Sequence, residues 1–125
     1  MAPKNALVIE DDDDIRRLLE VVLEQSGFEV ESVATGELGI EQLPAAERSL
    51  ITVDLGLPDV NGIDVVARIR QQTTATIAVI SARSSQKDRE ASLGAGADAF
   101  LTKPFRPREL KQWVNDISGD SEAVG

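Results

Sequence analysis

Five times along its length this chain passes from a short apolar run of strand-like composition into a segment whose apolar residues recur at helical spacing. That alternation constrains the fold more than any other feature. Parallel neighbouring strands need long crossovers, each right-handed crossover lays its helix on the sheet, and the outcome is a doubly wound α/β sheet with helices on both faces.

The run 6–10 (ALVIE) is the first strand. Asp12 or Asp13 then caps a helix through Ile15, Leu18, Leu19, Val22 and Leu23 that stops at Gly27. Residues 28–33 alternate as a second strand. Thr35 or Gly36 opens a helix through Leu38, Ile40 and Leu43, with Pro44 near its end. A third strand spans 50–55, residues 58–62 form a turn, and Ile63, Val66, Ala67, Ile69 and Arg70 follow at helical spacing. Residues 76–81 are the fourth strand, and Ser84 or Ser85 caps a polar helix to about Ala95. A fifth strand at 97–102 precedes a helix that starts at Pro107 and runs through Leu110, Trp113, Val114 and Ile117. The domain is expected over 1–117, with 118–125 (SGDSEAVG) a flexible tail or the start of a linker.

Composition removes several function classes. The chain has no cysteine and no histidine, so a thiolate zinc site is excluded and any metal should be a hard, oxygen-ligated one. Twenty-two acidic against 13 basic residues give a net charge of −9, which disfavours direct contact with nucleic acid or an acidic membrane. The apolar runs are far shorter than a membrane span and the N-terminus has no signal-peptide core, so the expected location is the cytoplasm.

Ligands of open α/β sheets sit beyond the carboxyl ends of the strands. Those ends carry Glu10 and Asp11, then Asp54, then Ser81, then Lys103. Two bare carboxylates about 4 Å apart repel by roughly 4 kcal/mol at an effective dielectric near 20, so three of them demand a cation or a raised pKa. Mg²⁺ meets that demand with oxygen ligands and retained waters. A carboxylate beside it can attack phosphorus, with Lys103 and Ser81 placed to hold the peripheral oxygens. Asp13 and Asp14, by contrast, read as solvated acids at a helix start.

The segments VIEDDDDIRRLL, ITVDLGLPDVNGID, VISAR and GADAFLTKPF, in this order and at these intervals, resemble the response-regulator receiver family of bacterial two-component systems over residues 5–117. The resemblance implies a flavodoxin-like sheet of strand order 2-1-3-4-5. It makes Asp54 the phosphoacceptor and gives Mg²⁺, or Mn²⁺ in its place, to Glu10, Asp11, Asp54 and the Gly56 carbonyl. It puts Lys103 and Ser81 on the phosphoryl group and a cis peptide before Pro104. Ser81 and Phe100 would form the switch that remodels the face of the fourth helix, fifth strand and fifth helix. Gly56 and Arg83, flanking the site, would tune the phosphoryl lifetime. The implied partners are a sensor histidine kinase or histidine phosphotransfer protein upstream and an effector or output domain downstream. The domain itself would be a monomer or a phosphorylation-dependent dimer, a signalling phosphoacceptor that assists its own phosphorylation and dephosphorylation rather than an enzyme.

The sequence departs from the family pattern at four positions. Glu10 stands where aspartate is commoner, and Phe100 replaces a frequent tyrosine. Trp113 and Ala99 occupy positions where the DNA-binding subfamily places an arginine and an acid of its symmetric dimer, and Trp113 lies on the apolar side of the last helix. Rival readings are weaker. A haloacid-dehalogenase-like phosphatase wants an acid two residues after its nucleophile, where Gly56 stands. A calcium loop counted from Asp11 meets Arg16 and Val22 where it needs Gly and Glu. The string from Gly94 through Gly96 to Ala99 fits a dinucleotide loop but precedes a strand instead of a helix, and reads as a turn. A phosphorylation-independent interaction module would not need the full set of Glu10, Asp11, Asp54, Ser81 and Lys103.

Overall fold

A computed structural model describes residues 4–118. Five strands, β1 (Lys4–Ile9), β2 (Phe28–Val33), β3 (Leu50–Val53), β4 (Thr76–Ser81) and β5 (Ala99–Thr102), form one parallel sheet in the order β2-β1-β3-β4-β5. Helices α1 (Asp13–Gln25), α2 (Gly36–Gln42), α3 (Gly62–Arg70) and α4 (Gln86–Ala95) make the crossovers, and α5 (Pro107–Ser118) follows the last strand. The fold and strand order are those the sequence implied. Residues 119–125 of the expected tail lie outside the described residues.

The central strands are buried on both faces, which is why ALVI in β1 is a continuous apolar run and LITV in β3 is apolar but for the buried Thr52. Two cores result, one on each side. Leu7, Ile9, Ile51, Val53 and Val79 pack with Val66 and Ile69 of α3, with Ile40 of α2 and Ala95 of α4 at the margin, while Ala6, Val8, Leu50, Ala78 and Ile80 meet Leu19, Leu23, Leu110 and Val114 of α1 and α5. Each fully buried Leu, Ile or Val contributes about 1.5–3 kcal/mol relative to exposure. Trp113 is half-buried against the second core, as its place on α5 required.

Caps decide where helices begin. Asp12 accepts from the Ile15 N–H at 2.9 Å, Thr35 from Leu38 at 3.1 Å, Asn61 from Ile63 at 2.9 Å, and Ser85 from Asp88 at 3.1 Å. Gly96 closes α4 at φ +119°, a left-handed residue that explains the glycines of GAGADA as a helix stop.

Several boundaries differ from expectation, the first being β1, which spans Lys4–Ile9 instead of 6–10. β3 ends at Val53, because the Gly56 N–H turns back onto the Asp54 side chain. β5 starts at Ala99, because the Ala97 N–H bonds to the Ser92 carbonyl of α4 instead of joining the ladder. α2 stops at Gln42, and Pro44 sits in a short 3₁₀ turn, Leu43–Ala45. Leu38, expected on the apolar face of α2, is 42% exposed. The buried face runs instead through Gly36 and Gly39, where a Cβ at Gly39 would lie 2.3 Å from Ile9 Cδ1.

Two arginines brace the amino-terminal rim of the sheet. Buried Arg48 donates to Asn5 Oδ1, Glu31 Oε1 and the Gln42 carbonyl. Arg70 donates to the carbonyls of Gly96, Thr73 and Ala75 at 3.1, 2.8 and 2.7 Å and pairs with Asp98 at 3.1 Å. Arg70→Ala strands these acceptors and should lower unfolding free energy by about 1–3 kcal/mol, read from the midpoint of urea denaturation at unchanged m.

Candidate functional site

The parallel register of β1 on β3 pairs Ile9 with Val53, so Glu10 and Asp54 leave the sheet side by side. The Asp54 N–H still bonds to the Ile9 carbonyl at 3.1 Å and the Glu10 N–H to the Val33 carbonyl at 3.0 Å, so both acids stand on ladder-held backbone. Both are buried, at 1% and 6% exposure. Asp11 is exposed at the start of the following loop, and carboxylate oxygens of Glu10, Asp11 and Asp54 lie within 4.8 Å of one another.

Lys103 follows β5 and reaches across β4 to this pair. Its Nζ lies 2.8 Å from Glu10 Oε1 and 3.0 Å from Asp54 Oδ2. Its backbone N–H donates to the Ser81 carbonyl at 3.0 Å, and its peptide bond to Pro104 is cis. The remaining oxygens are also engaged. Glu10 Oε2 accepts from the Asp12 N–H at 3.1 Å, and Asp54 Oδ1 from the Gly56 N–H at 3.0 Å. Gly62 lets the loop fold back, since a Cβ there would lie 2.4 Å from the Asp54 carbonyl oxygen.

Ser81, Gly56 and Phe100 complete the predicted set. Buried Ser81 ends β4 and accepts the Arg83 N–H on Oγ at 3.1 Å. Gly56 is exposed beside Asp54. Phe100 is half-buried on β5 against the core under α3 and α4, and the Arg89 guanidinium stacks 5.0 Å from its ring centre. Arg89 also donates to the Ser84 carbonyl and to Thr102 Oγ1. Arg83 reaches the Leu55 carbonyl at 3.4 Å and Asp88 at 3.3 Å. These arginine contacts are specific to the folded geometry and left no periodic signal in the sequence.

Burial is the main influence on all three buried charges, with different outcomes. It pushes the Glu10 carboxyl up to about 7, with the negative Asp54 adding to the rise and Lys103 opposing it. For Asp54 burial also acts upward, but the Gly56 N–H and the Lys103 ammonium outweigh it and hold the acid below its ordinary value. Lys103 is pushed down by burial and carried above its ordinary value by Glu10 and Asp54. Pushing two neighbouring acids apart in this way leaves Asp54 the ionised member of the pair.

When ionised, Glu10, Asp11 and Asp54 set three negative charges against the single positive charge of Lys103, an excess that suits a divalent cation. The donors are all oxygens, and Asp11 and Gly56 keep one side open to water, as Mg²⁺ requires.

A family model for the response regulator receiver domain matches residues 6–115. The chain belongs to that family. The receiver domain is 41% identical over 107 residues, 86% of its length, to the KDP operon transcriptional regulatory protein KdpE of Escherichia coli, 48% of which is covered. It is 36% identical over 95% of its length to the alkaline phosphatase synthesis transcriptional regulatory protein PhoP of Bacillus subtilis, 50% of which is covered. The chain thus spans about half the length of these relatives. A receiver domain protein (CheY-like) from Methanospirillum hungatei JF-1 superposes with a TM-score of 0.88 at 28% identity, covering 99% of this chain and 100% of that one. Among the described residues no helix is long and apolar enough to cross a membrane.

Glu10 gives a pH prediction. Its acid titrates at about 7 in the fold against 4.5 in an exposed carboxyl, so between these values the folded state keeps a proton that the unfolded state releases. Its contribution is fully present below pH 4.5 and lost as pH rises through 7. In EDTA, the fall in Tm from pH 5 to 7 should be shallower for Glu10→Gln than for the parent; identical slopes would refute the elevated pKa.

Proposed function

We propose that this receiver domain accepts a phosphoryl group on Asp54 from a phosphohistidine of a sensor kinase or phosphotransfer protein, in a Mg²⁺-dependent reaction that switches the α4-β5-α5 face. The observation that carries the reading is the Lys103 ammonium bridging Glu10 and Asp54 at a three-acid strand edge. Family membership supports it.

Glu10, Asp11, Asp54 and the Gly56 carbonyl would hold Mg²⁺, or Mn²⁺ in its place, which when bound neutralises charge on the transferring oxygens. Asp54 supplies the nucleophile. One of its carboxylate oxygens forms the new P–O bond as the P–N bond of the donor breaks, and the bonding electron pair stays with the imidazole nitrogen, which takes up a proton. Lys103 turns from Glu10 toward a phosphoryl oxygen while remaining paired with Asp54. The Ser81 hydroxyl leaves the Arg83 N–H for a second oxygen, and Phe100 turns inward beneath α4. Hydrolysis breaks the Asp54 O–P bond as a water oxygen forms the new bond to phosphorus, releasing inorganic phosphate and a proton and returning the carboxylate, at a rate tuned by Gly56 and Arg83.

The domain is thus a signalling phosphoacceptor that assists its own turnover. Its relatives are about twice its length, which supports an output domain, beside a separate effector, as the downstream partner in the cytoplasm. With its −9 charge, nucleic-acid contact falls to that partner rather than to this chain. The domain acts as a monomer or as a phosphorylation-dependent dimer; Ala99 and Trp113 leave the symmetric salt-bridge set of the DNA-binding subfamily incomplete.

Intact-mass spectrometry after incubation with acetyl phosphate is the direct test. A single phosphoryl adduct should form with Mg²⁺, be absent in EDTA, and be absent in Asp54→Asn. Lys103→Ala should label poorly and leave α4 unresponsive in amide spectra. Lack of an adduct on the parent under any condition would instead indicate a phosphorylation-independent interaction module.

A further inference from the structure

The loop 55–61 between β3 and α3 carries Gly56, whose N–H fixes one Asp54 oxygen and whose carbonyl is the proposed fourth metal ligand. Its two ends are well anchored. The Gly62 N–H bonds to the Leu55 carbonyl at 3.3 Å, and Asn61 caps α3. Between them, among the described residues, the polar attachment that reaches another element is Asp59. Its Oδ1 accepts the Gly36 N–H at 2.9 Å and its Oδ2 the Glu37 N–H at 3.0 Å, so one carboxylate straps the loop to the first turn of α2.

A second, independent observation places the same two segments in tight contact. A Cβ on Gly36 would lie 2.3 Å from Val60 Cγ2, 2.9 Å from Val65 Cγ2 and 3.3 Å from Leu57 Cδ1. The glycine admits α2 close enough for Asp59 to reach its free N–H groups. Those two N–H groups hold the exposed Asp59 carboxyl below the ordinary aspartate range, Glu37 contributing most and Gly36 next. α2 already has a cap of its own in Thr35, on the Leu38 N–H. Asp59 therefore serves the two N–H groups that Thr35 leaves free, and because it comes from another loop its capping also ties that loop to α2.

We propose that Asp59 is a positioning residue for the phosphoacceptor site, holding the loop so that the Gly56 carbonyl and N–H stay in register with Asp54. This inference rests on the Mg²⁺ site of the proposed function. Supporting groups that orient metal ligands typically change metal affinity by about 10–100-fold when removed. Asp59 acts through the loop instead of on a ligand directly, so an effect near the lower end, about tenfold, is expected.

The experiment compares the parent with Asp59→Ala, Asp59→Asn and Thr35→Ala. Thr35→Ala removes a cap from the same end of α2 without touching the loop, so it reports what loss of capping does by itself. Mg²⁺ affinity is measured by titration calorimetry without phosphodonor, and exchange of the Gly56 and Gly62 amides by NMR in EDTA. Asp59→Ala should weaken Mg²⁺ binding about tenfold and speed exchange at both glycines. Asp59→Asn, which keeps one acceptor oxygen, should fall between it and the parent, and Thr35→Ala should lower Tm while leaving both readouts at parent values. Equal Mg²⁺ affinity in the parent and Asp59→Ala, or an equal loss in Thr35→Ala, would overturn the assignment while the phosphoacceptor reading stands. A parent protein that binds no Mg²⁺ would overturn that reading and this inference together.

Discussion

Holding Glu10 and Asp54 together is the constraint on which the upper half of this domain depends. Parallel pairing of β1 with β3 leaves the two acids no choice of distance, and burial denies them water. At such separations bare carboxylates repel by several kcal/mol, roughly 4 at an effective dielectric near 20. Lys103 relieves the repulsion, but it comes from β5, two strands away from β3 in the sheet. Its reach is made possible by the backbone bond to Ser81, the last residue of the intervening β4. A single ammonium therefore ties three strand ends to one another, and the loops that leave those ends inherit its position.

Much of this was legible because it follows from periodicity and from the ends of apolar runs. The five strands, the alternation with helices and the placement of Glu10, Asp54, Ser81 and Lys103 at one edge required no knowledge of side-chain contacts. Strand order was legible only through resemblance, since nothing in ALVI or LITV states which neighbours pair. The failures share a cause. Leu38 was assigned to a core face by hydrophobicity, whereas close approach of α2 to Ile9 is set by Gly39, which no apolar count registers. β3 and β5 were drawn two residues too long because the turns after Asp54 and Gly96 capture N–H groups that an apolar pattern cannot assign.

Polar structure was the least legible layer. Arg48 and Arg70 look like ordinary charged residues in the sequence, yet each satisfies carbonyls or carboxylates from several segments. Asp59 sits in a turn where an aspartate is unremarkable for local reasons, and its partners are more than 20 positions away. Such roles depend on tertiary proximity, and a linear pattern holds no record of it. The glycine string near the fourth helix shows the converse: motif and context disagreed, and context was right, since Gly96 terminates α4.

The two rims of the sheet are fastened by different means. At the amino-terminal rim, arginines grip backbone carbonyls, acceptors that no change of pH, metal or phosphorylation can remove. At the carboxyl rim the fastening is a lysine shared between two acids and a serine hydroxyl resting on one amide, all of which can exchange partners. A change of charge or partner among those acids therefore leaves the arginine–carbonyl contacts at the opposite rim in place.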